Sequence, residues 1–445
     1  MLTSKSETIV TNFKLLGYIL LALGISALVA FSPIWGAWIA VSLILAIWTK
    51  DNDQRFLSAI LLLMIFGPVG RFLSPGSIIG SLWAFDFLIG FGLMFRINRF
   101  WPIRIGRDTP WRVSTSPPPI FFIIFSLIGL IGSSFVFPLA VVLKGSLYTA
   151  RWLAYYLVIR GVEDKEDKEE KAKNYNLILL IAVILAILGF IQLWLLPSIS
   201  QNLVHQFAFD PHVGRLFVTW FDPNYLGGFL VIALLLSLEE KGRKGVKGIK
   251  GILIGIAIIL TFSRSSYLAL IIGILVYFSF KSPKLIGILV VIVLAITSFV
   301  TPVRERVIGA ISLDITARQR LESWNEAWQI IQVNPVVGVG YNLYGPARQS
   351  VGLRYKAYNM PYNPAQAGSD SSLLTIWATS GIGGLLVYLL LFWKIWSAGS
   401  VAEKSAVSAL FVHSLFVNSL LLPPFMIVIW LMINQKSNLK SQNYK

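Results

Sequence analysis

A set of arginines and one isolated carboxylate are the side chains here best suited to chemistry. Four short segments carry them in order. Gly214-Arg215-Leu216 precedes Phe221-Asp222-Pro223-Asn224-Tyr225-Leu226-Gly227, and Leu260-Thr261-Phe262-Ser263-Arg264-Ser265-Ser266 follows. Arg318 and Arg320-Leu321-Glu322-Ser323-Trp324 come next, then Val337-Gly338-Val339-Gly340-Tyr341, and last Ser369-Asp370-Ser371-Ser372 before Gly381-Ile382-Gly383-Gly384. A guanidinium presents a planar fork that holds a phosphate with two parallel hydrogen bonds, where Lys offers only a point charge. A carboxylate within reach of a hydroxyl can take its proton. The arginines therefore suit binding of a phosphate-bearing substrate.

Other chemistries find little support. The chain has no cysteine, which removes disulfides and thiolate catalysis. His205, His212 and His413 are scattered without metal-ligand spacing, so no metal site and no cofactor are expected. The net charge of +17 sits in short loops between apolar runs and not on one basic face, which argues against nucleic acid.

The elements that must position these residues are transmembrane helices. Of 445 residues 56% are hydrophobic and 13% charged, with mean hydropathy +0.72, too much apolar surface for a soluble chain to hide. Hydropathy predicts about fourteen spans, twelve to fourteen allowing for the weakest. They run over 13–31, 34–49, 56–73, 77–95, 119–139, 143–161, 175–197, 221–238, 247–262, 264–280, 284–301, 371–394, 404–420 and 423–434. The first apolar run lacks a small-residue cleavage site and reads as a retained helix. Four regions follow: 1–197 and 198–301 as membrane helices with a first outer loop, 302–370 as one large extracytoplasmic loop, and 371–445 as the C-terminal helices.

Charge tests that topology. Arg96, Arg99, Arg104, Arg107 and Arg112, then Arg160 to Lys173, then Lys241 to Lys250, crowd alternate loops. With fourteen spans these loops and both termini share one side, the cytoplasm, in a multi-pass protein of the cytoplasmic (inner) membrane. Most cations left outside or within the membrane are Arg: Arg71, Arg151, Arg215, Arg264, Arg304, Arg306, Arg318, Arg320, Arg348 and Arg354. Each alone can snorkel to headgroups. Together they oppose the insertion bias. Asp86 and Arg151 fall inside spans, where they can pair with each other or meet lipid.

In the large loop Thr316 and Gln319 fit a capping box. Leu321, Trp324, Trp328 and Ile331 form one apolar stripe, so a helix ending at Asn334-Pro335 should lie on the membrane surface. Asp222-Pro223 reads as N-cap and N1 of a helix, in preference to a catalytic pair.

The four segments, in this order over about residues 200–390, resemble the O-antigen ligase and O-antigen polymerase superfamily of bacterial membrane glycosyltransferases. The resemblance implies a helical GT-C-like fold. It implies metal-free, inverting transfer of a glycan from a polyprenyl diphosphate on the outer face of the membrane, to a glycan, lipid or protein acceptor. Arg215, Arg264 and Arg320 would hold the donor diphosphate, with Arg318 auxiliary; Asn224, Gly338, Gly340 and Tyr341 would shape the cleft. Ligases of the family carry a catalytic His-Asn pair. The matching positions, the first of them eleven residues before Gly381, hold Asp370 and Ser371. Asp370 is then either the base or a cap of the helix that follows. The departure weakens a lipid A core ligase and leaves a polymerase or another transferase open. A flippase or transporter for the same lipid-linked glycans is the rival reading, and an inactive enzyme-like fold a third.

Overall fold

The computed structural model describes residues 33–68, 82–100, 117–163, 168–198, 212–239, 244–287, 312–353 and 368–433, with isolated positions between 291 and 309. Predicted spans 13–31 and most of 284–301 lie outside the described residues, as do Arg71, Arg306 and Arg354.

The described chain is helical, and its only extended pairing is an isolated bridge between Ser198 and Val213. Helices α1 (Pro33–Thr49), α2 (Asp53–Leu63), α3 (Ala84–Phe100), α4 (Pro117–Ser133), α5 (Leu139–Glu163) and α6 (Lys168–Leu195) come first. Then follow α7 (Pro223–Leu236), α8 (Lys244–Leu260), α9 (Arg264–Lys281), α10 (Ile315–Val333), α11 (Tyr344–Ser350), α12 (Ser372–Ala398), α13 (Val401–Phe416) and α14 (Pro423–Ile433). Among the described residues three helices are long and apolar enough to cross a membrane, and six shorter ones are apolar. Large apolar side chains stand exposed, among them Phe135 at 87% and Trp194 at 82%. Such surface is stable against lipid. This is a membrane protein.

Most predicted spans coincide with helices, because each long apolar run meets its backbone hydrogen bonds internally only as a helix. Two differ. In the described part of the run 56–73 the α-helix ends at Leu63, a short 3-10 turn continues to Phe66, and the chain turns at Gly67. Gly67 has φ +69°, and a Cβ there would overlap the Thr219 carbonyl; Trp220 Nε1 donates to the Met64 carbonyl at 2.9 Å. Tertiary contact with the turn Val218–Trp220 thus ends the helix. In α12 the helix is broken at Gly381 (φ 66°, ψ −176°). The freed carbonyls of Ala378 and Thr379 accept from the amides of Val339 and Gly340 at 2.8 and 3.0 Å.

Packing joins the parts that carry the chemistry. Helix α9 runs along α13 and α7, α13 also packs on α7 and α12, and α10 lies on α12. In the other half Arg151 on α5 pairs with Asp86 at the start of α3: Nη2 to Oδ2 is 2.6 Å and Nε to Oδ1 is 3.0 Å. The Tyr155 hydroxyl donates to the same carboxylate, and so does the Trp83 amide at 2.7 Å. The pair neutralises two charges that would be costly alone in the membrane.

Candidate functional site

The start of α7 is built first. Asp222 is its N-cap, accepting from the amides of Asn224 at 2.7 Å and Tyr225 at 3.3 Å, with Pro223 at N1. This cap aims Asn224 at the turn before α9. Asn224 Oδ1 accepts from the Ser263 hydroxyl at 2.9 Å and from Arg215 Nη2 at 3.4 Å. Arg215 Nε donates to the Thr261 carbonyl at 2.9 Å. The Asn224 amide nitrogen keeps no hydrogen-bond partner among the described residues.

Ser263 caps α9, so Arg264 is the first residue of that helix. Its guanidinium is two-pronged on Asp314: Nη1 meets Oδ1 at 3.1 Å, and Nη2 pairs with Oδ2. Its Nε is buried without a hydrogen-bond partner. Asp314 also caps α10 through the Ala317 amide at 2.9 Å. The cap predicted at Thr316 is therefore corrected: Thr316 instead donates to Asp314 Oδ1 at 2.9 Å. Arg264 holds the carboxylate at the first turn, so Asp314 outcompetes a hydroxyl for the cap.

Helix α10 carries Arg318, Arg320 and Ser323. Its buried face is Ala327, Ile330 and Ile331, while Leu321 and Trp328 of the predicted stripe are exposed at 46% and 45%. Trp328 packs edge-on against Trp377 and Trp324 packs on Phe416, at the margins of the interface, which leaves Leu321 and Trp328 of the stripe on the exposed side and Ile331 on the buried one. Arg318 is exposed, and its Nε donates to the Leu313 carbonyl at 2.8 Å. Arg320 is half-buried and makes no hydrogen bond or ion pair among the described residues. Burial, with the Arg264 charge, lowers its pKa below the ordinary arginine value, against the opposing pull of Asp370, Asp222 and Asp314.

Asp370 does not cap α12. Ser371 does, accepting from the Leu374 amide at 3.4 Å. The Asp370 amide donates to Ser323 Oγ at 3.0 Å, and its carboxylate stays at an exposed rim. Crowding protein atoms raise that carboxyl above its ordinary value; Arg320 opposes the shift, while Asp222 and Glu326 add to it.

Arg215, Asn224, Arg264, Arg320 and Asp370 thus come together from five segments. Gly338, Gly340 and Tyr341 take other contacts. Gly338 (φ 78°) lies against Thr379–Gly381, and a Cβ on Gly340 (φ 99°) would meet Ser133 and Leu343. Tyr341 is buried edge-on against Phe122, 5.7 Å between rings, within an aromatic core that also holds Tyr388 and Trp152. The turn fills the break in α12, a packing role that its spacing alone does not distinguish from a cleft. A cavity of about 370 Å³ beside Asp86 and Arg151 is lined by Tyr148, Tyr155 and apolar side chains, and includes none of the predicted site residues.

Three contributors escaped the sequence reading. Ser263 bridges Asn224 and Ser265, and Asp314 holds Arg264. His413 is buried on α13, its Nε2 3.1 Å from the Asn224 carbonyl and its Nδ1 3.1 Å from Ser419 Oγ. With both ring nitrogens engaged, it positions the start of α7. The Asp three residues before an amide at a helix start was the one available signal for Asp314.

Residues 251–389 match the family model described as O-antigen ligase. The matched stretch contains Arg264, Arg318, Arg320 and Asp370, whereas Arg215, Asn224 and His413 complete the cluster from outside it. No curated protein matches the chain.

Proposed function

We propose that this protein transfers a glycan from a polyprenyl-diphosphate donor to a hydroxyl of a glycan, lipid or protein acceptor, on the outer face of the cytoplasmic membrane. Both termini then face the cytoplasm, and the helical scaffold is of the GT-C type. Arg215, Arg264 and Arg320 grip the diphosphate, Arg318 assists from the exposed side, and Asn224 offers its amide to the phosphate or the first sugar. Asp370 takes the proton of the acceptor hydroxyl. The acceptor oxygen attacks the anomeric carbon from the face opposite the leaving group. The bond to the diphosphate breaks with inversion, and its charge is met by fixed guanidinium groups.

The observation that carries this reading is Arg320. A half-buried guanidinium without a hydrogen bond or ion pair among the described residues, held close enough to feel both Arg264 and Asp370, costs free energy unless an anion completes the site. Asp370 adds a carboxylate that no cap consumes, its pKa raised above the ordinary value by burial. The match of residues 251–389 to the O-antigen ligase family model supports the reaction class.

Reconstituted protein with a lipid-linked glycan pool tests it, with the lipid phase read by mass spectrometry. Free polyprenyl diphosphate should accumulate in step with longer or transferred glycan. Movement of intact donor between leaflets, with no diphosphate released, would establish the flippase instead.

A further inference from the structure

We propose that Asp314 is the resident counter-ion of Arg264 and is displaced by the donor's diphosphate, so that Asp314 sets donor affinity and latches the surface helix in the empty protein. This rests on the diphosphate-binding role of Arg264 proposed above.

The geometry is that of a carboxylate standing where a phosphate would. Asp314 presents both oxygens to both terminal nitrogens of Arg264, the fork-to-fork arrangement that guanidinium also makes with phosphate. The chain is drawn in tightly around the pair, since a Cβ on Gly309 would overlap both Asp314 Oδ2 and Arg264 Nη2. Yet the third nitrogen of Arg264, Nε, is buried without a hydrogen-bond partner among the described residues. The carboxylate meets two of the three guanidinium nitrogens, and a ligand with more oxygens can also use the remaining one. Nearby, Arg320 has no ion-pair partner of its own among the described residues. A dianionic or trianionic group reaching both arginines therefore outbids one carboxylate that reaches only Arg264.

Displacement has a mechanical consequence. The same Asp314 oxygen that meets Arg264 Nη1 also accepts from the Ala317 amide and the Thr316 hydroxyl. The latch thus fastens the first turn of α10 to the first residue of α9. Releasing it frees α10, with Arg318 and Arg320, to close over the bound diphosphate while Asp314 keeps its cap. In the empty protein the latch holds only a fraction of molecules competent to bind, and apparent affinity falls by that fraction.

Asp314→Asn removes the charge and retains a good N-cap, so α10 stays capped; Asp314→Ser does the same and repeats the test. The measurement is binding of a glycan-free polyprenyl diphosphate to the full chain in nanodiscs of zwitterionic lipid, together with donor KM and kcat for transfer. If the latch closes the site in about nine molecules of ten, Asp314→Asn tightens binding and lowers donor KM about tenfold. The gain should vanish on an Arg264→Ala background. Binding by wild type that is lost in Arg264→Ala, but unchanged or weakened in Asp314→Asn, would overturn the latch and leave the proposed function standing. No binding by wild type would remove both.

Discussion

The backbone amide of Asp370 donates to the Ser323 hydroxyl at 3.0 Å, tying the start of α12 to the surface helix three residues beyond Arg320. Ser323 Oγ also lies 3.3 Å from Ser369 Oγ, and the Ser369 hydroxyl donates to the Ser323 carbonyl at 3.2 Å. The proposed base, just before α12, and the proposed phosphate-binding Arg320 on α10 are thus tied through one small hydroxyl.

Ser323→Ala should therefore lower kcat for transfer by about tenfold with little change in thermal stability, since one partly buried neutral hydrogen bond contributes only about 1 kcal/mol. Steady-state kinetics beside a thermal melt would check this. An unchanged kcat would mean that the tie does not position Asp370.

The raised pKa of Asp370 gives the transfer reaction a direction in pH. The proposed base acts as carboxylate, so activity should fall as pH drops through that pKa, at a pH above that of an ordinary aspartate. Asp370→Asn should abolish this acid limb together with the activity. An acid limb at the ordinary carboxylate value, or one retained in Asp370→Asn, would point to another group.

Gly381→Ala should destabilise the protein. The backbone there has φ 66°, and a Cβ would overlap the Val336 carbonyl. The strained conformation alone costs about 1–3 kcal/mol for a residue with a side chain, and the overlap adds to it. Thermal unfolding in detergent should show a clear drop in midpoint. An unchanged midpoint would mean that the break in α12 can relax.

The pair of Asp86 and Arg151 predicts non-additive stability. Arg151→Met alone leaves a buried carboxylate and should cost about 3–5 kcal/mol, whereas Asp86→Leu with Arg151→Met should recover most of it. Unfolding of the two single variants and the double variant gives the coupling directly. Additive losses would contradict a mutually neutralising pair.

Much of this was legible in the sequence where the signal was local. Apolar runs announced helices such as α7, α8, α9 and α12, and Asp222-Pro223 announced a helix start. Motif order brought forward Arg215, Arg264, Arg320 and Asp370, which the fold gathers. What stayed hidden depends on partners distant in the chain. His413 meets the carbonyl of a residue 189 positions away, and Asp314 meets Arg264 across 50. The Gly338 to Gly340 turn was visible, but not the broken helix it fills. The buried side of α10, at Ala327, Ile330 and Ile331, is set by what packs on it, and periodicity alone does not separate it from apolar positions that stay exposed, Leu321 and Trp328.

The central claim is that Arg320 holds the donor diphosphate and Asp370 takes the acceptor's proton at one shared site. It is tested most directly by glycan transfer in proteoliposomes, with Arg320→Ala and Asp370→Asn beside the wild type. Neither side chain makes a hydrogen bond among the described residues, so both variants should fold with nearly unchanged melting temperature. Each should lose transfer by a factor of about 10²–10³ or more, as expected on removing a group that meets transition-state charge or moves a proton. Full transfer by either folded variant would contradict the account.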